Sequence, residues 1–305
     1  MARESGKRRS FVGQLWRDFN DDNCTTQAAA LAYYTVFSLP ALLFLIVTLV
    51  SVLVDPHTVE RRLTAEAGGM IGPGAANTIG TMLASAREQT QGGTLKLVLG
   101  AVMLVFGATG AFIQLQQALN RAWEVKPSKT GGGIRKFVFK RLMSFGFILA
   151  VGFLLLVSLV LSALISGFAD SLSTLIGGVP PIVLTIVQNV VSLLVIALLF
   201  ALIFKVLPDA EVAWRDALVG AVFTAVLFTV GKYLIGLYLG RSQPGSAFGA
   251  GSVLAAMLVW IYYSSIIVLL GAEFTQVWAT RRGAGIQPSA GAERLAEGPE
   301  RAAAD

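Results

Sequence analysis

Six long apolar stretches, separated by polar and basic connections, set the pattern of the chain. They fall at 33–54, 95–115, 143–166, 180–204, 217–239 and 251–275. Each is close to the ~20 residues an α-helix needs to cross ~30 Å of hydrocarbon. The pattern predicts an all-α, polytopic integral membrane protein with six transmembrane helices. Pro40 lies inside the first stretch, where a kink is expected. Pro180 and Pro181 open the fourth, where proline costs little. Ahead of the first span, Phe11, Leu15 and Phe19 recur at helical spacing with Trp16 beside them. Residues 10–20 therefore predict a short amphipathic helix, on the membrane surface or in the cytoplasm.

The connection at 55–94 is too patterned for a linker. Val59 to Ala67 and Asn77 to Gln89 predict two short helices, broken by GGMIGPG at 68–74. Ile79, Met82, Leu83 and Ala86 share one face of the second, which suggests a cap on the bundle, either a structural lid or a gate. From Gly283 the chain is rich in Ala, Gly, Glu, Arg and Pro and reads as a disordered tail. The division is a cytoplasmic amphipathic segment (1–30), a transmembrane domain (31–280, with 55–94 as the outer cap) and a disordered cytoplasmic tail (281–305).

Composition supports this reading. Hydrophobic residues make up 55% of the 305 and charged residues 14%, against ~25% charged in a typical soluble domain. Mean hydropathy is +0.70. The net charge of +6 would suggest nucleic acid in a soluble chain, but here its distribution explains it. Eighteen of the Lys and Arg residues fall in the first tail, connections two and four, and the last tail, against five on the other side. Basic residues collect in cytoplasmic loops, so both termini are expected inside and no nucleic-acid partner is expected. No apolar h-region follows the first basic cluster, so residues 1–30 do not read as a signal peptide. Cys24 and His57 are the only residues of their types, too few for a Cys/His zinc site. No metal and no cofactor are expected.

Polar groups inside the apolar stretches carry the functional information, because each is costly in lipid. Lys232 lies in the outer part of the fifth span, within the glycine-rich run GKYLIGLYLG. It either snorkels to the outer surface or lines a cavity that accepts an anion. Glu273 falls near the cytoplasmic end of the sixth span, too far in depth for an ion pair with Lys232. It is expected in an inner charge cluster with Arg215, Arg141 or Lys205. Gln114 and Asn120 sit at the inner end of the second span, with Gln116, Gln117 and Arg121. Gln188 and Asn189 lie near the start of the fourth. Such amides either join helices by hydrogen bonds or line a polar cavity between spans two, four and five. Tyr33, Tyr34 and Ser38 mark the entry of the first span, where interfacial aromatics are common.

The segments ALAYYTVFSLP, QLQQALNRAW, VAWRDALVGA with GKYLIGLY, and GAGSVLAAMLVWIYYSSIIVLLGAEF occur in that order. Together they resemble the YihY/BrkB family of bacterial inner-membrane proteins, over about residues 10–280. The matching positions include Tyr33, Tyr34, Pro40, Asn120, Trp123, Trp214, Arg215, Gly231, Lys232, Gly249, Tyr262, Tyr263 and Glu273. The resemblance implies a six-helix protein of the bacterial inner membrane with cytoplasmic termini. It also implies links to envelope integrity and lipid export, and it brings no catalytic residues. That family once carried the label ribonuclease BN. The residues oppose that chemistry here. The only histidine is predicted outside, and the cytoplasmic acids are scattered at helix starts, where capping explains them. The chain lacks the GxxxxGK[ST] sequence of a P-loop ATPase.

The expectation is a non-enzymatic transporter or exporter of a lipid or other anionic amphipath. Its candidate path residues are Lys232, Tyr33, Tyr34, Gln114, Asn120, Gln188, Asn189, Tyr262 and Tyr263. Its expected partners are membrane lipids, with an anionic lipid as substrate. The alternative is a non-transporting envelope scaffold or regulator, docked through the basic loop 121–141. The sequence assigns neither an oligomeric state nor a coupling ion.

Overall fold

A computed structural model describes residues 10–50, 58, 60–61, 63–65, 68, 76–82, 110–128, 146, 181–242, 252–283 and 285–295. The predicted third span, apart from Gly146, lies outside the described residues, as do most of the second span and most of the cap. Within the cap, 76–82 is helical and Ile79 is buried, in line with the predicted second cap helix.

The N-terminal hairpin follows from local chemistry. Helix α1 (Phe11–Asp21) is capped by Ser10, whose hydroxyl accepts from the Gly13 amide at 3.1 Å. Asn23 then turns the chain at φ 51°, a left-handed conformation that asparagine tolerates. Helix α2 (Cys24–Val50) begins there, well before the apolar run at 33, and continues through Pro40. Its early turns are helical because Cys24, Ala28, Leu31 and Ala32 are buried against the bundle. Hydropathy alone could not show this, since the same turns also carry Thr25, Thr26 and Gln27.

Helix α3 is described over 110–122 and leads through Glu124, at φ 55°, into strand β1 (Val125–Pro127). Helix α4 (Pro181–Val206), strand β2 (Ala210–Glu211) and helix α5 (Trp214–Ser242) follow, then helix α6 (Ser252–Arg281). Two short strands close the described chain, β3 (Gln287–Pro288) and β4 (Ala292–Arg294). Helix α6 packs against α1, α2 and α5, and α4 packs on α5.

Among the described residues three helices are long and apolar enough to cross a membrane: Ile186–Val206, Trp214–Ile235 and Leu254–Arg281. Their outward faces are apolar. On α5, Leu218, Val222, Val226, Val230 and Leu234 recur every fourth residue and are all exposed. In water such a stripe is a liability; against lipid tails it is the expected surface.

The α5–α6 contact is built from small residues. A Cβ added to Gly220 would collide with the Thr275 hydroxyl and stand 3.0 Å from the Thr275 Cβ. Gly271 faces Thr224 in the same way. The two threonines satisfy their own hydroxyls within their helices, Thr224 donating to the Gly220 carbonyl and Thr275 to the Gly271 carbonyl, each at 2.7 Å. The helices therefore approach at Gly–Thr pairs in both directions, the small-residue packing that membrane helices use. Gly220→Leu is expected to lose about 1–3 kcal/mol from overpacking, read as a lower melting temperature in detergent. Val222→Leu serves as the control, since Val222 lies on the exposed face of the same helix.

The segment expected to be a disordered tail departs from that expectation. Strand β3 pairs antiparallel with β2, placing Ala210 opposite Pro288 and Glu211 opposite Gln287. Strand β4 pairs with β1, placing Val125 opposite Arg294 and Pro127 opposite Ala292. Ile286 is buried in the main core beside Trp123, Phe204, Leu207 and Val212. Composition could not reveal this, because backbone pairing and one isoleucine hold the segment. The helical reading stands for the described spans and is supplemented here by two small two-stranded sheets.

Candidate functional site

Two levels of the bundle collect the polar side chains. The lower one is a junction between the foot of α2, the end of α3, the α4–α5 link and the last third of α6. Glu273 is fully buried there. The Cys24 thiol donates to Glu273 Oε1 at 3.4 Å, and the buried Asp22 carboxyl is a close neighbour. Trp123 reaches the adjacent residue, its Nε1 donating to the Ala272 carbonyl at 3.0 Å. Burial, followed by the carboxylates of Glu124 and Asp21, raises the Asp18 carboxyl above its ordinary range. The described residues contain no group of three or more His, Cys, Asp or Glu placed to hold a metal ion.

The inner charge cluster expected from sequence is thus built differently. Glu273 meets Cys24 and Asp22, not Arg215, which is exposed at the start of α5. Lys205 is occupied elsewhere: its ammonium donates to the Val212 carbonyl and lies 5.9 Å from the Trp214 ring centroid. Arg141 lies outside the described residues. The reason is sequence distance. Cys24 and Asp22 reach Glu273 because α1 and α2 fold back along α6, a contact that reading each span separately does not reveal.

The amides at this level join helices. Asn120 Nδ2 donates to Asp209 Oδ2 at 2.9 Å, and the Asp209 amide donates back to Asn120 Oδ1 at 2.8 Å. Gln116 Nε2 donates to the Leu207 carbonyl at 3.0 Å, and Gln114 Nε2 to Gln27 Oε1 at 3.1 Å. Gln114 and Asn120 are therefore ties from α3 to α2 and to the α4–α5 link. Of the two readings open in the sequence, the structure shows the helix-joining one for these residues.

The upper level brings several of the other candidates to one height. Helices α4 and α5 form an antiparallel hairpin whose lower ends are fixed together by Lys205 and Trp214. Gln188 stands about 26 Å along α4 from Lys205, and Lys232 about 27 Å along α5 from Trp214, at ~1.5 Å per residue. Gln188 and Asn189 are exposed, and Lys232 is half-buried with its ammonium 5.4 Å from the Tyr233 ring centroid. On α6, Tyr263 packs so closely on Gly231 that any side chain there would clash with its phenol ring. That fixes Tyr263, and with it Tyr262, at the height of Lys232. Glu273 lies about 15 Å further down α6, which separates it from Lys232 as the sequence predicts. Tyr33 and Tyr34 are exposed on α2, edge to face at 5.7 Å. Ser38, one turn beyond Tyr34, accepts from the Ala111 amide at 3.2 Å.

The family described as virulence factor BrkB matches residues 15–296, nearly all of the described fold and including both tail strands. This chain belongs to the BrkB family. The resemblance read from its four segments is thereby established. Among the relatives of this BrkB member is a UPF0761 membrane protein of Pseudomonas aeruginosa, 30% identical over 86% of this chain and 61% of its own length. Others are UPF0761 membrane proteins of Alcanivorax borkumensis, 29% identical over 88% of this chain and 60% of the relative, and Stenotrophomonas maltophilia, 28% over 92% and 63%. The chain spans about three fifths of the length of these relatives. No solved structure matches it. Fold and family agree on a membrane protein.

Proposed function

We propose that this BrkB-family chain is a six-span protein of the bacterial inner membrane, with both termini in the cytoplasm. It moves an anionic amphipath, such as a phospholipid, between the leaflets without enzymatic chemistry. The observation that carries the reading is the shared height of Lys232, Gln188 and Asn189 on neighbouring apolar helices. At about 26–27 Å from the foot of the hairpin they stand near the outer boundary of ~30 Å of hydrocarbon, where together they offer a cation and hydrogen-bond donors to a headgroup. The exposed stripe from Leu218 to Leu234 lies on the same helix and would accompany the acyl chains. The 18-to-5 distribution of basic residues supports the orientation.

The test is flux of a headgroup-labelled anionic phospholipid across vesicles holding the full chain. Wild type is expected to exceed protein-free vesicles. Lys232→Ala is expected to lose at least about tenfold, the equivalent of ~1.4 kcal/mol in the barrier, while reaching the membrane in normal amount. Lys232→Arg keeps the charge and should retain part of the flux. Undiminished flux in Lys232→Ala would remove that residue from the mechanism. Absence of wild-type flux for anionic and zwitterionic lipids alike would favour the scaffold reading.

A further inference from the structure

The buried junction leaves one polar atom without a partner. Glu273 is 0% exposed, and its Oε1 accepts from the Cys24 thiol at 3.4 Å. Its Oε2 is sealed from solvent and meets no hydrogen-bond donor. Among the described residues no lysine or arginine forms an ion pair with Glu273. Asp22 stands against the same carboxyl, 3% exposed and within hydrogen-bonding reach of it. An ionised carboxylate buried without a paired cation is strongly unfavourable, and a second negative charge in contact makes it more so. One proton between the two carboxyls removes both penalties, because it turns one of the acceptors into a donor.

The charged groups around this pair come from each neighbouring element. Helix α1 brings Asp18, one turn before Asp22 and within the field of both Glu273 and Glu124. Arg17 on the same helix is paired with the exposed Asp21 at 3.1 Å and also attracts Asp18. Helix α2 brings Cys24, and α3 brings Arg121, whose charge is felt at the Cys24 thiol. Helix α5 meets α6 through Gly220 and Thr224, and its buried acid, Asp216, lies one turn beyond Gly220. Acids outnumber the two arginines. Helix α1 is the movable wall. It rests on α6 through Phe11 against Phe274 at 5.2 Å, Phe19 beside Leu269, and Arg281 donating to Gln14 Oε1 at 3.3 Å. Of the helices packed on α6, α1, α2 and α5, it makes the smallest contact. Val12 and Trp16 on its far side are exposed. We propose that Asp22 and Glu273 form a proton-binding site, with one proton held between the two carboxyls while α1 is closed on α6 and released as α1 lifts. The site lies about 15 Å down α6 from Tyr263, and it stands or falls independently of lipid flux.

The test uses the full chain in lipid vesicles. Infrared difference spectra between wild type and Glu273→Gln are expected to show the carbonyl band of one protonated carboxyl in the wild type only, a band that carboxylates lack. Amide exchange, corrected for its intrinsic rate, then follows residues 11–21 from about pH 5 to about pH 9, below the range in which lysine and tyrosine ordinarily titrate. The closed form binds the proton, so rising pH favours opening. Wild-type protection is expected to fall at least about tenfold, the linkage of one proton over one pH unit. The amide of Glu273→Gln stands in for the protonated carboxyl, and Asp22→Asn removes the repelling charge, so both variants should keep α1 protected throughout. Absence of the carbonyl band would overturn the proposal, as would wild-type protection that stays flat with pH. A fall in Asp22→Asn equal to that of wild type would overturn it too. If both amide variants melt well below wild type at the acid end, the carboxyls are held as charges and the proposal fails.

Discussion

Trp123→Ala is expected to destabilise the protein by about 3–5 kcal/mol, the range for emptying a fully buried aromatic site. Trp123 is 1% exposed, and its ring meets Phe204 edge-on at 5.9 Å. The indole is also the strut that ties the exit of α3 to α6 through its 3.0 Å hydrogen bond to the Ala272 carbonyl. Alanine removes the ring, opens a cavity against α4 and leaves that carbonyl without the indole donor. Trp123→Phe keeps part of the packing and loses the donor, so a net cost nearer ~1 kcal/mol is expected from the bond alone. Thermal melting in detergent ranks the three proteins.

A second readout of the same variant locates the damage. Cys24 is the sole cysteine and is buried, its thiol bonded to the residue next to Ala272. Burial, followed by the Glu273 carboxylate, pushes this thiol up from its ordinary range, so little thiolate exists to react. Wild type is therefore expected to resist a maleimide under native conditions, Trp123→Phe to resist it nearly as well, and Trp123→Ala to label readily. Melting without labelling would mean that the collapse spares the α2–α6 contact.

Much of this was legible in the sequence, and the reasons for the rest are specific. The spans of α4, α5 and α6 could be read because lipid imposes one rule, continuous apolarity, on a known length. The amphipathic α1 could be read from Phe11, Leu15 and Phe19. The start of α2 could not, because its first turns are buried by protein rather than by lipid and so include Thr25, Thr26 and Gln27. Glu273 was legible as a polar group near the end of the last apolar stretch, but its partners were not. The nearest cations by topology, Arg215 and Lys205, look outward to solvent and to Trp214, while Cys24 and Asp22 come from the far end of the chain. For Gln114 and Asn120 the residue type allowed both a tie and a cavity wall. Only the positions of Gln27 and Asp209 decide between them.

The tail gives the sharpest separation between the two descriptions. Were residues 283–305 a disordered tail, removing them would leave stability unchanged. In the fold, residues 285–295 are tied to the bundle. The Ser289 amide donates to the Asp209 carbonyl at 3.1 Å, the Ser128 amide to the Gly291 carbonyl at 3.0 Å, and the Leu295 amide to the Glu124 carbonyl at 2.7 Å. Asp209 is in turn the partner of Asn120, and Glu124 follows Trp123. The tail thus clasps the α4–α5 link and the exit of α3 to one another, with Ile286 as the side chain driven into the core. Full burial of an isoleucine is worth ~1.5–3 kcal/mol, and the paired strands must at least offset the entropy of ordering the segment. A chain ending at Arg282 is expected to melt at about 2 kcal/mol lower stability, with faster amide exchange at 125–128 and 209–211. Ile286→Ala within the intact chain should lose about 2–5 kcal/mol. A chain ending at Leu295 keeps every described contact of the clasp and should match wild type. If the shortest chain proves as stable as the longest, the strands contribute nothing and the compositional reading of the tail is the right one. If only the chain ending at Arg282 fails, the tail is the tie that joins the neighbouring ends of α3, α4 and α6. A change at Asn120 or Asp209 would then act on the same unit, and its cost should overlap with that of the truncation rather than add to it.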